Sequence, residues 1–148
     1  MNGVVYAGSR DHKLYALDTD TGKVLWSYRA GDIIDSSPAV ADGIVYVGSH
    51  DHRLYALDAR TGDEYWSCTT GGIIDSSPTV AEGVVYIGSQ DHSLYALSAQ
   101  AGEKLWSYAT EGGIISSPVV ADGVVYIGSN DHNLYAFNQT SLQTYHRP

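Results

Sequence analysis

The sequence is poor in the residues that form cross-links, helices and membrane spans. It contains one cysteine, Cys68, so an intrachain disulfide is impossible and we expect a half-buried, unreactive thiol. Its 16 glycines interrupt the chain at short intervals and disfavour helices. Apolar runs end after a few residues, well short of the ~20 residues that a membrane-spanning helix needs. The sequence therefore predicts an all-β chain without α-helices that does not insert into a membrane.

Positive charge is also scarce. The chain has 8 Lys and Arg against 17 Asp and Glu, which gives a formal net charge of -9. A nucleic acid binds proteins through Lys and Arg that displace its counterions, so we do not expect it as a partner. No basic leader followed by an apolar stretch precedes Gly3, and we expect a soluble chain whose cellular location the sequence does not assign.

What the sequence does contain is a repeat of 40 residues. The segment Gly3–Trp26 recurs as Gly43–Trp66 and as Gly83–Trp106, and a fourth copy opens at Gly123 and loses its similarity after Ala136. Repeats of this length form stacked or radial units that cannot bury their apolar faces alone. We divide the single domain 1–148 into repeats at about 3–35 (partial), 36–75, 76–115 and 116–148 (partial).

One repeat predicts four short strands. Ile44–Val47, Arg53–Leu57 and Asp63–Cys68 are rich in β-branched and aromatic residues and are separated by turn residues, and they form strands B, C and D. The segment Ser76–Val80 precedes the next copy and contains a proline, as is typical of an edge strand, here called strand A. Four antiparallel strands in about 40 residues, with both faces of the middle strands apolar, predict a β-propeller blade.

A second motif recurs with the pattern A-x-D-x-x-T-G-x-x-x-W. Its residues are Ala16, Asp18, Thr21, Gly22 and Trp26 in the first copy, Ala56, Asp58, Thr61, Gly62 and Trp66 in the second, and Ala96, Gly102 and Trp106 in the third. The third copy departs with Ser98 and Ala101, and in the fourth only Ala136 remains, with Leu142 and His146 replacing the glycine and the tryptophan. In this motif the chain resembles the pyrroloquinoline-quinone-type (PQQ-like) propeller repeats of quinone-dependent alcohol dehydrogenases and their non-enzymatic relatives. The resemblance implies that each indole wedges between adjacent blades.

About four blades in one chain leave exposed edges and faces at both ends, which favours closure through another chain. The resemblance implies a ring of eight blades, so we expect a homodimer with head-to-tail contacts at two seams. The alternative is a four-bladed ring that closes on itself.

Four Asp-His pairs recur in the turns between strands B and C. They are Asp11-His12, Asp51-His52, Asp91-His92 and Asp131-His132. Imidazole and carboxylate are common metal ligands. However, His is among the few non-glycine residues enriched at positive φ, so we interpret these pairs as turn structure and assign no metal site.

The same face should carry the loops between strands D and A, because strands alternate in direction. Asp35 and Asp75 precede inner strands there and could line the channel mouth, where a cation or a basic peptide could bind; we favour capping of the following Ser-Ser-Pro turn by each carboxylate. The residue before each turn aspartate varies, and these positions are either unconstrained or part of a surface that reads a protein or peptide partner. They are Arg10, His50, Gln90 and Asn130.

Catalytic signals are weak. No Gly-rich phosphate loop, Gly-x-Ser-x-Gly elbow or Cys-x-x-Cys pair is present. The resembled dehydrogenases use adjacent cysteines, a calcium-binding carboxylate set and an inserted catalytic aspartate, whereas these repeats have one cysteine and no insertions. We predict a non-enzymatic scaffold for protein interaction or assembly, as in relatives attached to sensor kinases or outer-membrane assembly machinery, with no catalytic or cofactor-binding residues. The alternatives are a fragment of a quinone-dependent dehydrogenase and a propeller that binds a small ligand or cation.

Overall fold

A computed structural model of the protein describes residues 3–139 and 144–147. These residues form 15 β-strands and no helix, and hence no helix that could cross a membrane. The strands are β1 (Val4–Gly8), β2 (Lys13–Asp18), β3 (Val24–Arg29), β4 (Ala39–Ala41), β5 (Ile44–Gly48), β6 (Arg53–Asp58), β7 (Glu64–Thr69), β8 (Thr79–Ala81), β9 (Val84–Gly88), β10 (Ser93–Ser98), β11 (Lys104–Ala109), β12 (Val119–Ala121), β13 (Val124–Gly128), β14 (Leu134–Asn138) and β15 (Thr144–Arg147).

The strands build four antiparallel sheets in chain order. Blade 1 has three strands, β1-β2-β3, and blades 2, 3 and 4 have four strands each, in the orders β4-β5-β6-β7, β8-β9-β10-β11 and β12-β13-β14-β15. Each complete blade runs from an inner strand A through B and C to an outer strand D. The inner strands β4 and β8, and β8 and β12, contact one another. This is the arrangement of four-stranded propeller blades that the repeat predicted, and blade 1 lacks strand A, as expected.

Strand A is shorter than predicted. The sequence suggested Ser76–Val80, whereas β8 covers only Thr79–Ala81. The difference has a physical cause, because Pro78 has no N–H to donate to a ladder and Ser76 is used elsewhere. The hydroxyl oxygen of Ser76 accepts a hydrogen bond from the Gly88 N–H at 3.1 Å, which ties the start of the strand to the end of strand B.

The fourth blade is more complete than expected. The fourth repeat is predicted to be partial, because only Ala136 of its docking motif remains, but β15 pairs with β14 from Leu134↔Arg147 to Phe137↔Thr144. In blades 1 to 3 the same ladder shifts register after Ala16, Ala56 and Ala96. Strand pairing requires only backbone N–H and C=O groups, so it persists where the motif residues are absent.

Hairpins between strands A and B use two-residue turns. Asp42 has φ 49° and Gly43 has φ 76°, and the same pair of positive angles recurs at Glu82–Gly83 and Asp122–Gly123. Two consecutive residues with positive φ form the type I′ turn, which matches the twist of the flanking strands.

Each hydrophobic cluster among the described residues lies between two neighbouring blades. Leu14 of blade 1 and Ile34 of the loop after β3 pack with Val45 and Leu57 of blade 2. The other two clusters join blade 2 to blade 3 and blade 3 to blade 4 in the same way. Strands B and C of the interior blades are therefore buried on both faces, as predicted, while the outer strands are half-exposed.

Candidate functional site

One face of the blades carries both the B–C turns and the D–A loops. The B–C turns are residues 9–12, 49–52, 89–92 and 129–132, and the D–A loops are residues 30–38, 70–78 and 110–118. They touch directly, since the His50 N–H donates to the Ile33 carbonyl at 3.0 Å and the Gln90 N–H donates to the Ile73 carbonyl at 2.9 Å. The prediction that these segments share one face is confirmed.

The second residue of each Asp-His pair has a left-handed backbone. The φ angles are 73° at His12, 71° at His52, 74° at His92 and 72° at His132. In the second turn, the N–H of His52 donates to the Ser49 carbonyl at 3.3 Å. The interpretation of these histidines as turn residues is confirmed.

The aspartates of the second, third and fourth pairs each link two blades. Oδ2 of Asp51 accepts hydrogen bonds from the Gly31 N–H of the preceding D–A loop at 2.7 Å and from the Tyr55 hydroxyl at 2.5 Å, and Oδ1 accepts from the Arg53 N–H at 3.0 Å. Equivalent bonds connect Asp91 to Gly71 and Tyr95, and Asp131 to Glu111 and Tyr135. Sequence reasoning missed this role, although the recurring Asp-x-x-x-Tyr spacing was visible.

The variable residues before the first three turn aspartates contact the carboxylates of the D–A loops. His50 shows the geometry: its Nε2 is 2.5 Å from Oδ1 of Asp75 and 3.8 Å from Oδ2 of Asp35. Arg10 forms a fork on Asp35, with Nε 3.0 Å from Oδ1 and Nη2 3.1 Å from Oδ2, and Gln90 Nε2 donates to Oδ2 of Asp75 at 2.5 Å. Five of the six residues predicted for this face thus form one continuous series of polar contacts, in the order Arg10, Asp35, His50, Asp75 and Gln90.

The carboxylates of Asp35 and Asp75 do not have the capping role that the sequence favoured. Their described hydrogen bonds go to the variable side chains of the B–C turns. The Ser-Ser-Pro segments are held by serine hydroxyls instead, since the Ser37 N–H donates to Ser77 Oγ at 2.9 Å. The remaining predicted residue, Asn130, is exposed, and its N–H donates to the Gly113 carbonyl at 3.0 Å.

The predicted docking residues lie at the outer edge of the blades. Trp26 Nε1 donates to the Ala59 carbonyl of blade 2, and Trp66 Nε1 donates to the Ala99 carbonyl of blade 3, both at 3.1 Å. Ala16, Ala56 and Ala96 are fully buried opposite the three tryptophans.

The motif aspartates organise the C–D turns. Oδ1 of Asp18 accepts from the Thr21 N–H at 2.8 Å, and Oδ1 of Asp58 accepts from the Thr61 N–H at 2.9 Å. A hydrogen bond from the Tyr65 hydroxyl lowers the pKa of Asp58 to about 2. Ser98, which departs from the motif, keeps a related bond because the Ala101 N–H donates to its Oγ at 3.3 Å.

The last docking position is only partly described. The ring centroid of Trp106 lies 5.6 Å from that of Phe137 in blade 4 and 6.0 Å from that of Tyr86 in blade 3. Leu142, which replaces the motif glycine, lies outside the described residues.

Cys68 is a free, half-buried residue. Burial raises the pKa of its thiol, so the thiolate that nucleophilic chemistry needs is disfavoured.

The family model described as outer membrane protein assembly factor BamB, a PQQ-type model, matches residues 1–74 and 60–147. The chain belongs to this PQQ-like repeat family. No curated protein matches the sequence.

Solved structures share the fold at low identity. BamB from Moraxella catarrhalis is 23% identical with a TM-score of 0.86, over 97% of this chain and 48% of that chain. The quinohemoprotein alcohol dehydrogenase ADHIIG from Pseudomonas putida HK5 is also 23% identical with a TM-score of 0.86, over 99% and 33%. The computationally designed Ika8 protein is 18% identical with a TM-score of 0.88, over 99% and 46%. The PQQ-like chain thus has the β-propeller fold and spans about half, or a third, of these structures.

Proposed function

We propose that this PQQ-like protein is a non-enzymatic assembly scaffold, and that a second copy of the chain completes its ring. The observation that carries the proposal is the exposure of apolar residues on the two end faces. Val5 is 48% exposed, whereas its equivalent Val45 is fully buried, and Leu134 is 54% exposed, whereas its equivalent Leu94 is fully buried. Large exposed apolar patches mark interaction surfaces.

The two end faces are chemically matched. The N-terminal end face is formed by blade 1 residues that include Val5 and Leu17, and the C-terminal end face by blade 4 residues that include Tyr126 and Leu134. Inside the molecule, the equivalents of these residues already pack together in the cluster between blades 2 and 3. The equivalents are Val85 and Leu97 on one side and Tyr46 and Leu54 on the other.

A polar contact supports the same pairing. The Tyr46 hydroxyl donates to the Ala99 carbonyl at 3.0 Å across the interface between blades 2 and 3. By the repeat, Tyr126 should donate to the Thr19 carbonyl of a second copy. A head-to-tail contact of this kind occurs twice in a closed two-fold ring.

The comparisons add two supports. The family description names an assembly factor, which favours a scaffold over a catalyst. The chain superposes on just under half of BamB and of Ika8. The other half of each of those chains has a similar length, and in this protein a second copy would take its place.

Sedimentation equilibrium tests the proposal. We expect the wild-type protein to have a solution mass of two chains. Val5→Glu and Leu134→Glu should each reduce this mass to that of one chain, because each substitution would bury a charge at both seams. Leu105→Glu is the matched control, because Leu105 is 53% exposed on the outer strand of an interior blade. A monomeric wild type, as a self-closed four-bladed ring would give, or a dimer that both end-face variants preserve, would contradict the second-copy proposal.

The second candidate is a quinone-dependent dehydrogenase, which the shared fold of the quinohemoprotein enzyme supports. The raised pKa of the Cys68 thiol and the use of the turn aspartates in interblade hydrogen bonds favour the scaffold. The measurement is dye reduction with an alcohol after addition of pyrroloquinoline quinone and calcium. Turnover above the protein-free background would favour the dehydrogenase.

A further inference from the structure

In the repeat, the variable residues of the two interior B–C turns, His50 and Gln90, are each flanked by two D–A loop positions, one 15 residues before and one 25 residues after. For His50 these positions are Asp35 and Asp75. For Gln90 they are Asp75, which it contacts, and Ile115. Arg10 contacts Asp35. Among the described residues, only His50 therefore has a carboxylate on each side.

The three groups are close enough to share an ion. One ligand atom from each of Asp35, His50 and Asp75 lies within 4.8 Å of the others. Zinc bonds of about 2.0–2.2 Å in tetrahedral geometry place the ligand atoms roughly 3.3–3.5 Å apart. The two distances from His50 Nε2, 2.5 Å to Asp75 and 3.8 Å to Asp35, lie on either side of that spacing.

The surroundings orient the carboxylates and favour a cation. Arg10 Nε holds Oδ1 of Asp35 and Gln90 holds Oδ2 of Asp75, so that Oδ2 of Asp35 and Oδ1 of Asp75 face His50. Contacts of this kind to ligand side chains fix their orientation toward a metal. Two carboxylates and one guanidinium give these charged groups a formal net charge of minus one, which favours a cation. The three side chains are partly covered, with exposed fractions of 30% for Asp35, 19% for His50 and 28% for Asp75.

We infer that Asp35, His50 and Asp75 bind one divalent transition-metal ion of the zinc class on the face that carries the B–C turns and the D–A loops. One nitrogen and two oxygen ligands suit Zn²⁺ and its spectroscopic substitute Co²⁺, and a water completes a tetrahedral set. The ion binds Nε2 of the His50 tautomer that carries its proton on Nδ1, and it displaces Arg10 Nη2 from Oδ2 of Asp35. All three ligands come from one chain, so the site does not depend on the proposed dimer.

Calorimetric titration with Zn²⁺ and the visible absorption of added Co²⁺ test the site. We expect one ion per chain and a Co²⁺ band that Zn²⁺ abolishes. The repeats supply conservative variants: His50→Gln copies Gln90, and Asp75→Ile copies Ile115, so each places a residue that the fold already accepts at that position. Each should weaken Zn²⁺ binding by more than about tenfold, because a ligand is lost.

His92→Asn is the matched control, since it removes a histidine outside the cluster and asparagine accepts the positive φ of that position. It should bind Zn²⁺ as the wild type does. Melting curves without metal check that every variant folds. Absence of saturable binding by the wild type, or equal binding by the wild type and the folded His50→Gln variant, would overturn the inference.

Discussion

The indole of Trp66 lies directly over Gly102 of the following blade. A Cβ built on Gly102 would be 2.5 Å from Cδ2 of Trp66, and one built on Gly62 would be 2.7 Å from Cε3 of Trp26. The glycine therefore has two functions, because its φ of 70° suits a residue without a side chain and its open surface receives the tryptophan.

Gly102→Ala should destabilise the protein more than Gly22→Ala does. Gly22 has a similar φ of 68°, but a Cβ there would have no neighbour within 4 Å. Both variants should lose about 1 kcal/mol from the strained backbone. Gly102→Ala should lose a further 1–3 kcal/mol or so, because the methyl group overlaps the indole. The free energies of unfolding in urea measure the difference, and equal losses would show that the tryptophan does not need this surface.

Asp51→Ala should destabilise the protein more than Asp11→Ala. Asp11 keeps the local bonds to the Lys13 N–H and the Tyr15 hydroxyl, whereas Asp51 also accepts the Gly31 N–H from the preceding blade. The difference should be about 1–2 kcal/mol, the net value of a hydrogen bond to a charged group near the surface. Chemical denaturation of both variants provides the measurement, and indistinguishable midpoints would mean that this bond contributes nothing to blade docking.

Tyrosine ionisation should weaken the fold in alkali. Burial, together with the hydrogen bond to Asp91, raises the pKa of Tyr95 to about 12, above the unfolded value of about 10. The neutral hydroxyl is favoured in the folded state, so its contribution to stability is complete below pH 10 and is lost as the pH rises toward about 12.

Denaturation midpoints between pH 9 and 12, with the absorbance of tyrosinate, measure this loss. Tyr95→Phe should lose less stability over the range from about pH 10 to 12 than the wild type, because its ring cannot ionise. Parallel decreases in the two proteins would assign the alkaline instability to other groups.

The strands and turns could be predicted because their causes are local. The apolar runs with flanking glycines predicted strands B and C. His52 could be identified as a turn residue because histidine is one of the few non-glycine residues that accept positive φ. The fold class followed from the 40-residue period.

The contacts between loops could not be predicted in the same way. An aspartate at position 35 or 75 is compatible with local capping. The contacts of these carboxylates with His50 and Gln90 arise only when two successive blades lie side by side. Similarly, the sequence signal for strand D in blade 4 was the tryptophan motif, whereas the strand itself depends on backbone pairing with β14.

The placement of the hydrophobic clusters determines how the molecule should come apart. All three clusters straddle two blades, so a solitary blade would have no interior of its own. Blades 2 and 3 are each held from two directions, while blades 1 and 4 are held from one direction within the chain. Amide protons should therefore exchange fastest at the two termini and slowest in β5, β6, β9 and β10, and a partner seated on the end faces should remove that gradient.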